Sequence, residues 1–294
     1  MLKTGMTPRN PPDQLKAAIW LFLITLLASP FALASERIEK VFPVLKGPTL
    51  MLTNYSGSIV IKSWQNLEIK ALCTKFSQNV EVDSESVGNK VHLATHVLDK
   101  LASAEKAKVD YQILAPEESN LEVRTNLGSV AIEKIKGEVR IDVMAAPVQV
   151  FQVTGYLDAR SLNSRMEVVD SKGIIRATTV SGDIVFTRLN SNNVTAQSTL
   201  GNISYEGDFV GGGKYNFSTN EGVISVFCPD RVSVEWEART VKGGIETNLP
   251  IKSKSHYPVS SGYIGKQSLL GTSNSGDATV QLSTFSGRIR IIRK

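Results

Sequence analysis

From residue 118 onward, apolar and polar positions alternate in short runs that recur at a nearly constant interval. The interval is set by the small residue of a Gly-x-apolar phrase: Gly128, Gly182, Gly201, Gly222, Gly243 and Gly287, with Ala146 and Ser164 filling the gap. Steps between successive members are 18, 18, 18, 19, 21 and 21 residues, then 44, which is one repeat plus an insertion. Two positions after the small residue stand Val130, Val148, Met166, Ile184, Ile203, Ile224, Ile245 and Ile289. Seven before it are Leu121, Val139, Leu157, Ile175, Val194, Tyr215, Trp236 and Val280, and five before it Val123, Ile141, Ala159, Ala177, Ala196, Phe217, Ala238 and Leu282. The position between these two columns is polar in every repeat, from Glu122 to Gln281. Such period-two alternation predicts a strand with one face in a core and the other in water. Three before the small residue a hydroxyl stands in every repeat except at Val143, placed to satisfy backbone groups at a bend.

The polar columns add a register. Glu122, Arg140, Asp158 and Arg176 alternate in sign from repeat to repeat, as do Arg124, Asp142 and Arg160. Parallel rungs stacked about 4.8 Å apart set each charge beside an opposite one. The pattern therefore predicts an all-β fold, a β-solenoid of stacked rungs of 18–21 residues. The alternative is an antiparallel β-sandwich, with Asn-Leu-Gly or Val-Ser-Gly closing hairpins. It accounts for the alternation but not for like-residue columns at fixed spacing. Residues 118–294 are read as the repeats, with a Ser/Gly/Lys-rich loop at 251–277 inserted before the last rung. Residues 35–117 are read as an N-terminal β segment that caps them, with strands over 67–73, 91–97 and 109–114.

Thr125–Ile132 (TNLGSVAI) returns as Thr179–Phe186 (TVSGDIVF), with counterparts at Asn54–Trp64 and in the closing SGRIRI of 286–291. Together these phrases resemble the bacterial putative-adhesin family of exported β-repeat proteins, over about residues 45–294. Ala146-Pro147 and Ser164-Arg165 depart from that pattern, which has glycine at the bend. The resemblance is specific for architecture. It implies a cell-envelope or surface role and supplies no catalytic residues.

The first 34 residues change the picture of where the chain acts. Lys3, Arg9 and Lys16 precede the apolar run Ala17–Leu27, followed by Pro30 and a small-x-small end at Ala32-Leu33-Ala34. This arrangement predicts a signal peptide cut after Ala34 and an exported protein, periplasmic or at the cell surface. The competing reading is an uncleaved anchor, disfavoured because Pro30 interrupts the helix; after cleavage no stable membrane span is expected. The formal charge of +5 is scattered and lacks interleaved aromatics, so no nucleic-acid partner is expected. The partner class left is an envelope protein or a glycan. Cys73 shares the parity of Leu67, Ile69 and Ala71, and lies far from Cys228 in sequence, so both read as buried free thiols.

Candidate chemistry is sparse, and the expectation is of a non-enzymatic protein with no catalytic, cofactor or metal residues. His92 and His96 have the spacing of a helical metal pair but lie in a strand pattern, about 13 Å apart. His256 lies alone in the inserted segment, and Gly211-Gly212-Gly213 reads as a turn between strands. The sharpest enzymatic alternative is a polysaccharide-cleaving solenoid using outward carboxylates, Glu167 and Asp183 on neighbouring rungs, with Glu246 in the column of Glu167.

Overall fold

The computed structural model describes residues 35–99, 101–254 and 263–294. The expected signal peptide, its cleavage site and His256 lie outside these residues. The N-terminal part runs through β1 (Glu36–Pro43), β2 (Thr49–Asn54), β3 (Ser58–Trp64), β4 (Glu68–Lys75), β5 (Val80–Val87), β6 (Lys90–Val97) and β7 (Val109–Pro116). The repeats then alternate a longer and a shorter strand. They are β8 (Asn120–Leu127) and β9 (Ser129–Glu133), β10 (Lys136–Ala145) and β11 (Val148–Phe151), β12 (Thr154–Ser161) and β13 (Met166–Val169). Next come β14 (Lys172–Thr179) and β15 (Ile184–Thr187), β16 (Asn190–Ser198) and β17 (Ile203–Glu206), β18 (Lys214–Thr219) and β19 (Ile224–Cys228), β20 (Val234–Thr240) and β21 (Ile245–Thr247). The chain closes with β22 (Lys252–Ser253), β23 (Tyr263–Lys266), β24 (Ser268–Ser273), β25 (Ala278–Thr284) and β26 (Ile289–Arg293).

Longer and shorter strands collect in separate sheets of 13 strands each, and the repeats pair parallel and in register in both. Each rung thus contributes one strand to each sheet, and the inward columns of the two sheets meet in one core. Leu121, Val139, Leu157, Ile175 and Val194 face it from one sheet; Val130, Val148, Met166, Ile184 and Ile203 face it from the other. Burial of these stacked columns supplies the main stabilisation, about 25 cal/mol for each Å² of apolar surface removed from water. The repeats pair as a solenoid while the two sheets pack face to face as in a sandwich. Antiparallel pairing is confined to the ends: β1 on β4, β4 on β7 and β5 on β6 at one, β22 on β24, β23 on β21 and β24 on β20 at the other.

The charge columns have the expected register, with Arg140 opposite Glu122 on one side and Asp158 on the other. The close ion pairs nevertheless run along strands. Arg124 meets Glu122 at 2.6 Å, Arg160 meets Asp158 at 2.8 Å, and Arg140 meets Glu138. Residues two apart on one strand face share a side, and a long arginine reaches its strand neighbour as readily as the next rung.

Two features depart from the sequence reading. The segment 251–277, read as a loop, carries β22, β23 and β24, which lie across the last rungs and cover the stack end. The rung of Gly287 also does not follow that of Gly243 in space. β25 and β26 insert between the β18–β19 rung and the β20–β21 rung. The N-terminal end is inverted in the same sense, since β6 and β7 lie outside β2 and β3. Placing strands outermost out of chain order leaves them free to pair antiparallel with a covering strand, so no bare parallel edge remains in register for further stacking. Three of the four outermost strands are themselves poor templates: β1 carries Glu36, Arg37, Glu39 and Lys40, β5 carries Glu81, Asp83 and Glu85, and β22 spans two residues.

Candidate functional site

Up to β15 the repeat length is constant, so each bend lies over the one before. The bend after each shorter strand places Lys134, Gln152, Asp170 and Arg188 in the left-handed region, at φ of 57°, 55°, 50° and 50°. In that column Arg188 donates from Nε and Nη2 to the two Asp170 carboxylate oxygens, both at 2.8 Å. The pairing holds the Asp170 carboxyl below its usual range and raises the Arg188 guanidinium above its own.

After β17 this regularity ends. Gly207–Gly213 lengthens the connection to β18, and Gly212 turns the chain at φ +72°, in keeping with the glycine-run turn expected there. The lengthened connection folds back as an aromatic hinge: Phe209 stacks on Tyr205 at 4.9 Å and stands edge-on to Tyr215 at 4.7 Å and to Trp236 at 5.6 Å. Tyr205 donates its hydroxyl to the Asp208 carbonyl at 2.6 Å, and Tyr215 donates to Ser191 at 2.6 Å while accepting from the Val210 amide. Both phenols are therefore buried with partners, and burial pushes both above their ordinary range.

Between this hinge and the bend above it opens a cavity of about 570 Å³. Leu189, Phe209, Val210 and Phe227 line its apolar wall. Its rim carries charges of both signs, already matched: Arg231 with Asp208 at 3.0 Å, Arg188 with Asp170, and Lys294 with Glu206. A charge-balanced rim above an aromatic and aliphatic wall suits a polar, uncharged ligand better than an anion. Cys228 also lines the cavity, but burial first, then the nearby carboxylates of Asp208 and Asp230, push its thiol up to about 12. It is held as the neutral thiol, the unreactive form.

The residues singled out from sequence are dispersed. The Asp183 carboxylate is occupied by the Asn202 amide and side chain at 2.9 and 3.1 Å. Glu246 lies between Arg288 at 3.2 Å and Arg290 at 3.6 Å. Glu167 stands on β13 beside Gln149 and Val185, five strand steps from Glu246 in the same sheet, or about 24 Å. These acids do not face one another across a cleft. His92 and His96 sit on the extended strand β6. Cys73 and Cys228 are both buried and unpaired, as expected, with eight strand steps between their strands. The cavity itself escaped the sequence reading. Its walls come from non-adjacent segments, and the one available signal was the lengthened 201–222 step with an apolar Phe209 inside it.

No protein-family model matches the sequence, and no curated protein matches it. Three solved structures are similar over most of their length. A putative adhesin from Bacteroides fragilis NCTC 9343 is 12% identical, covering 88% of this chain and 97% of its own, with a TM-score of 0.39. A putative adhesin from Parabacteroides merdae ATCC 43184 is 8% identical, covering 88% and 96%, with a TM-score of 0.36. A putative cell adhesion protein from Clostridium sporogenes ATCC 15579 is 13% identical, covering 89% and 100%, with a TM-score of 0.27. The chain thus resembles bacterial proteins bearing the adhesin name, at identities and TM-scores from which no shared activity follows.

Proposed function

We propose that this protein is an exported, non-catalytic surface protein that holds a glycan or protein partner on a rigid two-sheet stack. The observation that carries the reading is the cavity beside Phe209. It interrupts a regular stack, offers an aromatic wall of the kind sugars pack against, and has a rim whose charges neutralise each other. No charged group there is left over to drive acid–base or nucleophilic chemistry, since its thiol is held neutral and its carboxylates are paired. The stiffness of the stack supports presentation, because every rung from β8–β9 to β18–β19 is fixed on both sides by parallel ladders.

The test is a panel of cell-wall and matrix polysaccharides and their oligosaccharides, assayed both for binding and for chain cleavage. Saturable binding without turnover, weakened by Phe209→Ala and Arg231→Ala, supports the proposal. Cleavage that disappears in Glu167→Gln or Asp183→Asn overturns it in favour of the hydrolytic alternative.

A further inference from the structure

The outward face of the edge hairpin β5–β6 differs in charge chemistry from the rest of its sheet. Along the repeats, outward carboxylates have arginine partners two positions away: Glu122 with Arg124, Glu138 with Arg140, Asp158 with Arg160 and Glu237 with Arg239. On β5, Glu81, Asp83 and Glu85 follow one another on one face, and among the described residues no lysine or arginine lies within ion-pair distance of them. What faces them instead is imidazole. Glu81 is directly opposite His96 and Glu85 directly opposite His92 in the antiparallel register. Asp83 inclines toward His96, its Oδ2 lying 3.8 Å from Nδ1.

We propose that Glu81, Asp83 and His96 bind one divalent transition-metal ion, with Zn²⁺ preferred over Ca²⁺ and Mg²⁺. One ligand atom from each of the three lies within 4.8 Å of the others. Ligands about 2.1 Å from a common ion stand at most about 4.2 Å apart, so small rotations of these exposed side chains close the set. Two carboxylates and a neutral imidazole cancel the ion's charge and supply the nitrogen that favours zinc over calcium or magnesium. The remaining coordination positions face solvent, open to water or to a group from a partner. Glu81 and Asp83 are two apart on β5 and His96 is across the ladder on β6, so the ion clips the outermost strand to its neighbour. The His92 and His96 pair, too far apart along one strand to share an ion, is not the site; the strand alongside supplies His96 with its co-ligands.

The experiment is calorimetric titration of the metal-stripped protein with ZnCl₂ and, separately, CaCl₂, with thermal unfolding followed in parallel. Expected is one saturable equivalent of Zn²⁺ and a raised Tm, with Zn²⁺ binding weakened at least ~10-fold in His96→Gln, Asp83→Asn and Glu81→Gln. His92→Gln should bind as the unaltered protein does. Each variant is first matched to the unaltered protein in Tm with EDTA, so lost binding reports lost ligands and not lost folding. Unchanged Zn²⁺ affinity in His96→Gln, an absence of saturable binding, or equal affinity for Ca²⁺ would overturn the site.

Discussion

The rungs from β10 to β15 and those from β16 to β21 solve one stacking problem at opposite edges. In the first group the closest backbone approach is at the start of the longer strand. Gly137, Gly155 and Gly173 lie in column there, and a Cβ on Gly155 or Gly173 would fall 2.4 or 2.0 Å from the carbonyl oxygen of the glycine below. From Gly182, at the β14–β15 bend, onward the approach moves to the bend between the two strands, a Cβ on Gly182 falling 2.1 Å from the Ser164 oxygen. A Cβ on Gly201 would lie 1.7 Å from the Gly182 oxygen, and one on Gly243 1.7 Å from Gly287. The hydroxyl column follows this exchange. Ser198, Thr219 and Thr240 donate to the carbonyls of Gly182, Gly201 and Gly287 on the neighbouring rung. Where Ala146 and Ser164 occupy the bend, the hydroxyls of Ser161 and Thr179 are buried without a partner. A glycine lets the next rung's side chain settle onto its carbonyl; a Cβ at the bend accompanies loss of that bond. The core changes as well, from mainly aliphatic columns to Tyr205, Tyr215, Phe217 and Trp236. The aromatic end is also where the longer repeats and the cavity occur.

The sharpest test of this division is truncation within one column. Phe217→Ala should lower stability by about 3–5 kcal/mol, whereas Val123→Ala, in the same column on β8 where the core is still aliphatic, should cost about 2 kcal/mol. Chemical denaturation of both variants measures the difference, and equal losses would erase the distinction between the two cores. Next in size is the glycine exchange. Gly201→Ala forces a methyl into a backbone oxygen and should destabilise by about 3 kcal/mol, near the top of the ordinary range for single changes. Ala146→Gly relieves no clash and should cost about 1–2 kcal/mol, from chain entropy and the loss of one buried methyl. If the two thermal shifts matched, the bend would not be where the later rungs touch most closely.

The buried thiols, one on β4 and one on β19, predict an alkaline limit. Burial lifts Cys73 to about 11 and Cys228 to about 12 from an ordinary value of 9.0, with Lys40 opposing the shift at Cys73. The unfolded chain releases these protons first, so their contribution to stability is complete below pH 9 and declines as pH rises through the folded values. Denaturation midpoints across pH 8–11 should fall more steeply in the unaltered protein than in Cys73→Ala. In keeping with this, neither thiol should react with a thiol reagent until the protein unfolds. The smallest effect belongs to the charge columns. Arg140→Glu sets three acids in a row with Glu122 and Asp158 and should cost about 0.5–1 kcal/mol, partly recovered by adding Asp158→Arg. Strict additivity in that double-mutant cycle would show that neighbouring rungs do not couple through their outward charges.

Repetition in the sequence determined the rung, its inward columns and its lateral register, because a stack places like residues over one another and each column can be read separately. Leu121 to Trp236 and Val130 to Ile289 needed no tertiary knowledge; alternation and spacing placed them. The Lys134-to-Arg188 bend column was equally periodic, but left-handed backbone leaves no fixed residue type where side chains as different as Lys, Gln, Asp and Arg adopt it. What only the tertiary structure decided is the arrangement of the ends and of everything formed between distant segments. That β25 slides inside β20, that 263–273 are strands, and that Phe209 closes a cavity lined by Arg188 and Lys294 depend on which surfaces remain uncovered once the rungs have stacked. His96 is the plainest case. Its chain neighbours could be judged from spacing, but Glu81 and Asp83 reach it through an antiparallel pairing that no repeat encodes, since register at a sheet edge is chosen by the edge that remains to be covered.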